Sequence, residues 1–331
     1  MANIVCDACE VSLVRTERTL KMESNTTLVP IEISLSFVIS DNYSQHLAVV
    51  LASVLKNAGP NETFVFHVLA SYISEENQTR LRQFEQDDPR CRIVFHQVDK
   101  TAFEKFPLPI EHVSVEMYYR YLLPELLADE QRTIYSDVDV LVYQSLRELW
   151  ETPLTEEMPL AAVQDVKEHD EDFCAYKVSL GMKPDAKYFY SGLLVMDLAQ
   201  LRKEKFAERC MENTNRYIEI ISWPDQDVIN LTMEGRILEL PLRLNCTVPK
   251  LLPKGERMVI EHFANYSSKP WCCLWKNTTW PKYLKYLLMT PYRDNAWAFV
   301  WSHIKGFFYF RYTKKGVDRI LICGLRVWRQ K

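Results

Sequence analysis

The sequence predicts an α/β fold, a mostly parallel, Rossmann-like sheet flanked by helices and followed by a basic, aromatic C-terminal tail. Three observations carry this. Apolar runs and helical patterns alternate between residues 31 and 98, as right-handed βαβ units do. The composition, 47% hydrophobic and 25% charged, is that of an ordinary globular chain and excludes a disordered or fibrous one. No stretch approaches the roughly 18 continuous apolar residues that a membrane span requires.

The elements follow in order. Residues 1–30 are polar and aperiodic and read as a leader; with no basic run ahead of an apolar core, no signal peptide is expected. Ile31–Ile39 reads as a buried strand. Leu47, Val50, Leu51, Val54 and Leu55 then recur at helical spacing, and Asn57-Ala58-Gly59-Pro60 ends that helix. Phe64–Leu69 is a second strand, Ser74 with Glu75 and Glu76 opens a second helix, and Ile93–Val98 is a third strand. Ser114 opens a helix carrying Tyr118, Tyr119 and Arg120. Arg132–Tyr143 is strand-like but interrupted by Ser136-Asp137-Val138-Asp139, Phe189–Leu198 is strand-like, and Trp223–Leu231 is a helix entered through Pro224. One α/β domain at 31–285 and a basic, aromatic region at 286–331 are simpler than two domains.

Charge and cysteine narrow the classes of function. Residues 301–331 hold eight Lys and Arg against Asp318 alone, a net of +7, so the net charge of −4 leaves the other 300 residues at −11. Basic residues mixed with Trp301, Phe307, Phe308, Tyr309, Phe310, Tyr312 and Trp328 suit an anionic membrane surface; the plainer alternative is a terminal helix docked on the acidic body. Nucleic acid is not expected as a partner, since the rest of the chain would repel it. The nine scattered cysteines fit a reduced, cytoplasmic protein, and Cys6-x-x-Cys9 has no second pair to complete a zinc site. With only 8 glycines, neither GxxxxGK[ST] nor GxGxxG occurs, so a bound nucleotide must be held by other means.

Four local features carry chemistry. Two carboxylates two residues apart, Asp137 and Asp139, stand at the end of an apolar run; buried unpaired they would cost several kcal/mol each. In extended chain they would point to one side, where a hard divalent cation could hold them and keep positions free for phosphate oxygens. Glu261-His262-Phe263-Ala264-Asn265 leads to Lys269-Pro270-Trp271, with His262 a third ligand and Lys269 a diphosphate clamp, although a lone histidine is more often structural. Asp225-Gln226-Asp227 opens a helix, where acids also serve as plain caps. Phe37–Ile39 runs into Ser40-Asp41-Asn42-Tyr43, at the carboxyl end of the first strand, where open α/β sheets bind ligands.

Together and in this order, these features resemble the family 8 retaining glycosyltransferases, especially bacterial lipopolysaccharide α-galactosyl- and α-glucosyltransferases. The resemblance runs from about residue 33 to about residue 281. It rests on Asp41-Asn42-Tyr43, the Arg120 helix, Tyr135-x-Asp137-x-Asp139-x-Leu141-Val142, Asp225-Gln226-Asp227 with Asn230, and His262 ahead of Lys269-Pro270-Trp271. It implies a GT-A fold and transfer of galactose or glucose from UDP-galactose or UDP-glucose to a glycan or glycolipid hydroxyl, with retention. By similarity, Asp137, Asp139 and His262 would bind Mn²⁺, or Mg²⁺ in its place. Val38, Ser40, Asn42, Tyr43, Val138, Asn265 and Lys269 would hold the nucleotide. Arg120, Asp165, Tyr190, Ser191, Asp225 and Gln226 would hold the donor sugar, with Gln226 and Asp225 in catalytic roles. Lipopolysaccharide core is the expected acceptor, which would place the enzyme peripherally on the inner face of the cytoplasmic membrane. Three departures stand out. Ser40 replaces a frequent Asp, Tyr190 a frequent Asn, and the His262–Lys269 spacing is one longer than common, with Asn265 for Gly. Two rivals are a non-catalytic glycan- or lipid-binding protein on the same scaffold and an aspartyl-phosphate phosphatase. The latter wants Thr or Val where Leu141 stands.

Overall fold

The computed structural model describes residues 29–108, 114–166, 171–273, 277–314, 317–323 and 325–330. The leader and the Cys6/Cys9 pair therefore lie outside the described residues.

The first half alternates as its periodicity dictates: β1 Ile31–Val38, α1 Ser44–Asn57, β2 Glu62–Ala70, α2 Glu75–Asp87 and β3 Cys91–Gln97. β1 and β2 are almost wholly buried, which is why they read as continuous apolar runs rather than alternating ones. The Ser74 hydroxyl accepts from the Asn77 N–H and caps α2, as its sequence predicts. A 3₁₀ helix, Val115–Leu122, runs into the short α3 Leu123–Leu126. It is followed by β4 Arg132–Ser136, β5 Val140–Val142, α4 Arg147–Trp150, β6 Leu160–Val163, α5 Glu171–Ser179 and β7 Leu193–Asp197. Helices α6 Leu198–Lys203, α7 Phe206–Arg216 and α8 Pro224–Thr232 precede β8 Ile237–Leu240 and β9 Ile260–His262.

The main sheet has seven strands in the order β3-β2-β1-β4-β7-β6-β8. Its pairings are parallel except at β7, which is antiparallel to both β4 and β6. Two apolar cores cover its faces. One joins β1, β2 and α1 to Tyr283, Tyr286 and Phe299; the other joins Tyr118, Tyr119 and Tyr121 to Phe206, Val228 and Ile229.

Two expectations need correction. Asp137 and Asp139 do not share one side of an extended strand. They occupy a bend between β4 and β5, where the chain leaves the main sheet to form a two-stranded sheet with β9. The bend has a backbone cause: the Asp137 N–H donates to Gly192 O (2.8 Å) in the main sheet, whereas Asp139 O accepts from Phe263 N (2.8 Å) in the small one. Nor does the C-terminal region end as a docked helix. After α9 Trp280–Leu287, α10 Ala296–Phe308 buries Phe299, His303 and Gly306, and the chain then turns at Tyr309 into a three-stranded antiparallel sheet. Its strands are β10 Tyr309–Lys314, β11 Val317–Ile322 and β12 Leu325–Gln330. Among the described residues no helix is long and apolar enough to cross a membrane.

Candidate active site

The carboxyl ends of β1 and β4 open onto a cavity of about 590 Å³, the size of a small-molecule site. Of the residues expected there, Val38, Ser40, Asn42, Tyr43, Arg120, Asp137, Val138, Asp139, Ser191, Asp225 and Lys269 line it. His262 connects to that lining through Asp139 and Gln226 through Ser191, and Asp165 stands one step further back, accepting from Gln226. Asn265 does not line it: its carbonyl accepts from the Ser268 hydroxyl and the Lys269 N–H in the turn before Pro270, and its side chain is exposed. That turn, Tyr266–Ser268, absorbs the long spacing between His262 and Lys269.

One ligand atom each from Asp137, Asp139 and His262 lies within 4.8 Å of the others. The His262 Nε2 atom is 3.2 Å from Asp139 Oδ1 and 4.0 Å from Asp137 Oδ2. Register places the imidazole: His262 pairs with Val140 across the small sheet, and a slip of one residue would turn it to the other face. The Nδ1 atom of His262 lies 2.9 Å from the Asn245 amide oxygen, which can only accept. An Nδ1–H donating to that oxygen would leave Nε2 to offer its lone pair to a cation seated between the two aspartates. Two acids and a histidine oriented by a fixed outer partner form a donor set that suits a divalent cation. Gly192 leaves the room: a Cβ there would stand 2.5 Å from both Asp137 Oδ2 and His262 Cε1.

Burial opposes the charge on Asp139, but Lys269 and His262 outweigh it and hold the carboxyl far below its ordinary range. Lys269, ion-paired with Asp139, is itself raised above its ordinary value against the burial penalty. Trp271 stacks on His46, with ring centroids 3.8 Å apart, and fixes the segment that carries Lys269. His46 is pushed down to about 3 by burial and the nearby Lys269 charge, so it is neutral there.

Arg120 organises the Asp225 side of the cavity. Its guanidinium pairs with Asp225 (2.7 Å) and Asp137 (3.0 Å), donates to Ser191 O (2.9 Å), and stacks over Tyr135. Burial drives the Asp225 carboxyl above its ordinary range, while Arg120 and the Ser191 hydroxyl, which donates to Asp225 at 2.6 Å, pull against that rise. Both ends of the Gln226 amide are engaged: its oxygen accepts from Ser191 N (3.3 Å) and its nitrogen donates to Asp165 (3.0 Å). Tyr190 N–H donates to Val163 O (2.9 Å), and burial pushes its phenol up to about 12, with Thr247 and Asp165 beside it.

The two acids around Gln226 divide their labour. Asp225 faces Arg120, whereas the buried Asp227 accepts from the Tyr176 and Tyr188 hydroxyls (2.5 Å each) and from the N–H groups of Ser222 and Trp223. Asp227 thus does the capping that either acid could have done. Sequence reasoning missed Asn245 and Gly192; neither sits in a motif, and only the pairing of β5 with β9 and of β4 with β7 brings them to the cluster. Replacing Asn245 by alanine is expected to weaken divalent-metal affinity about 10–100-fold with little change in folding cooperativity, read by Mn²⁺ titration. Unchanged affinity would show that the Nδ1 contact does not orient the ligand.

A cavity at the carboxyl edge of an open sheet, with paired acids and an imidazole beside an arginine-organised pocket, defines a glycosyltransferase of the GT-A architecture. The chain belongs to glycosyl transferase family 8, which it matches over residues 34–273. A Haemophilus influenzae protein named as a glycosyltransferase is 30% identical over 209 residues, 62% of this chain and 60% of that one. The chain thus spans about three fifths of that relative's length. General stress protein A of Bacillus subtilis is 27% identical over 76% of this chain and 92% of its own length. A lipopolysaccharide 1,2-glucosyltransferase of Escherichia coli is 26% identical over 70% of this chain and 66% of its own. Among solved structures, the galactosyltransferase LgtC in complex with donor and acceptor sugar analogs superposes with a TM-score of 0.69 at 27% identity, covering 78% of this chain and 96% of that one.

Proposed function

We propose that this glycosyltransferase moves galactose or glucose from a UDP-sugar to a hydroxyl of a glycan acceptor, lipopolysaccharide core, with Mn²⁺ and with retention of the α configuration. The observation that carries the reading is the Asp137–Asp139–His262 cluster beside the Arg120–Asp225–Gln226 pocket. Asp137, Asp139 and His262 would hold the cation, with Mg²⁺ as an alternative. Bound there, the cation supplies positive charge to the departing diphosphate. Lys269 adds a second positive charge on the same side, and Val38, Ser40, Asn42 and Tyr43 offer a wall for the uridine. Arg120, Asp165, Tyr190, Ser191 and Asp225 orient sugar hydroxyls. Gln226 is a poor nucleophile twice over: it is an amide, and its oxygen is already turned onto the Ser191 N–H. This supports front-face attack, the departing phosphate oxygen taking the acceptor's proton.

The test is a screen of UDP-sugars with Mn²⁺, reading free UDP and the anomer of any product. UDP release is expected with UDP-galactose or UDP-glucose and is lost in Asp139→Asn; metal-independent release, or none with any UDP-hexose, would sink the reading. Gln226→Ala should slow transfer and keep the α product, whereas a trapped glycosyl–Gln226 adduct would contradict front-face attack.

Residence at a membrane surface is part of the same proposal. Trp297, Trp301, Ile304 and Phe308 recur at i, i+4, i+7 and i+11 along α10 and are all exposed, Trp297 at 80%. With the basic strands that follow, they suit an anionic lipid surface. A cut at residue 301 would sever α10 and expose the core around Phe299, so point changes are the cleaner test. Trp297→Ser with Trp301→Ser should lower co-sedimentation with anionic vesicles severalfold and leave transfer to a soluble acceptor intact. Undiminished co-sedimentation would reject the membrane face.

A further inference from the structure

Among the described residues four carboxylates line the cavity: Glu116, Asp137, Asp139 and Asp225. Three are engaged by Arg120, Lys269 or His262. Glu116, partly buried in the first turn of the 3₁₀ helix Val115–Leu122, has neither hydrogen bond nor ion pair among the described residues. Its isolation has a geometric origin. It stands four positions ahead of Arg120, a spacing that would make an ion pair on an α-helix. At three residues per turn the two side chains leave the axis about 120° apart. Arg120 turns to Asp137 and Asp225, and Glu116 is left against the cavity without a cation.

The wall at the end of β1 has a complementary shortage. The Ser40 hydroxyl donates to the Asn42 side-chain oxygen at 2.6 Å, which takes up one of that oxygen's two lone pairs and leaves the amide N–H₂ as donors. A uridine offers more than acceptors: its ribose hydroxyls and its imide N–H each need an acceptor. An ionised carboxylate is acceptor-only, and among the described residues Glu116 is the one carboxylate of the cavity not already committed.

We propose that Glu116 accepts a hydrogen bond from the nucleoside of the donor, from a ribose hydroxyl or the imide N–H, and so sets nucleotide specificity. This rests on the UDP-sugar reading. The test is calorimetric titration of wild type, Glu116→Ala and Glu116→Gln with UDP, 2′-deoxy-UDP and N3-methyl-UDP in the presence of Mn²⁺, with thermal melts to confirm folding. A hydrogen bond to a charged group corresponds to roughly 10–100-fold in affinity, so wild type should prefer UDP over one analogue by that order. Glu116→Ala should lose that preference together with a similar share of UDP affinity, and Glu116→Gln should keep part of both. Lost discrimination against 2′-deoxy-UDP assigns the contact to the ribose, and against N3-methyl-UDP to the base. UDP affinity and discrimination unchanged in Glu116→Ala overturn the proposal alone. Failure of the wild type to bind UDP with Mn²⁺ overturns the UDP-sugar reading and this proposal with it.

Discussion

Substituting Gly192 by alanine is expected to abolish divalent-metal binding in a chain that still folds. The new Cβ would lie 2.5 Å from Asp137 Oδ2 and 2.5 Å from His262 Cε1, closer than carbon packs against either. Neither neighbour yields cheaply. Asp137 is held by the Tyr135 hydroxyl (2.6 Å) and by Arg120, and the His262 ring is pinned by Asn245 and by the β5–β9 pairing. Relief must come from moving one ligand off the cluster, at an overpacking cost of about 1–3 kcal/mol in stability. Mn²⁺ affinity should fall at least about 100-fold, a loss of the order seen when ligand geometry is disturbed. The readout is a metal titration followed by tryptophan fluorescence, beside a thermal melt. Binding within a few-fold of wild type would mean that Asp137 and His262 do not act together on one ion.

The second large effect belongs to Arg120, whose replacement by methionine should destabilise the fold as well as stop transfer. The guanidinium is buried, and two carboxylates depend on it. Removing one partner from a buried ion pair costs about 3–5 kcal/mol, because the charge left behind stays desolvated. A loss of that size lowers the melting temperature by on the order of 10 °C. Lysine should not rescue it: one ammonium cannot reach Asp137, Asp225, Ser191 O and Met117 O at once, as the planar fork does. The decisive comparison is the double variant Arg120→Met with Asp225→Asn. If the cost is the stranded charge, the second change should restore part of the lost stability; a further fall would mean that Arg120 acts by packing alone.

Much of this site is legible in the sequence because its chemistry is local. Asp137 and Asp139 are conspicuous as acids ending an apolar run, and Asp225 and Gln226 as polar groups opening a helix. His262 is readable once the acids ask for a third ligand. What escapes is set by distance in space. Gly192 matters for the room it leaves between two side chains 55 and 70 residues away, and nothing in its neighbours signals that. Asn245 lies in an irregular stretch after the 3₁₀ turn Leu242–Leu244, and its role exists only after β9 pairs with β5. The end of the chain misleads for another reason. Aromatic and basic residues run on without a break past Phe308, so composition does not mark where helix gives way to strands.

The reversed direction of β7 has a consequence for how this enzyme can change over evolutionary time. β1 and its neighbour β4 finish at the cavity, whereas β7 begins there, so Ser191 and Gly192 form a single hinge pin between the Asp137–Asp139–His262 cluster and the Arg120–Asp225 pocket. An insertion or deletion of one residue just ahead of Leu193 would derail both at once. On the UDP-sugar proposal, new sugar preferences should therefore arise by exchange of side chains around Tyr190 and Asp165, and not by remodelling the length of that loop.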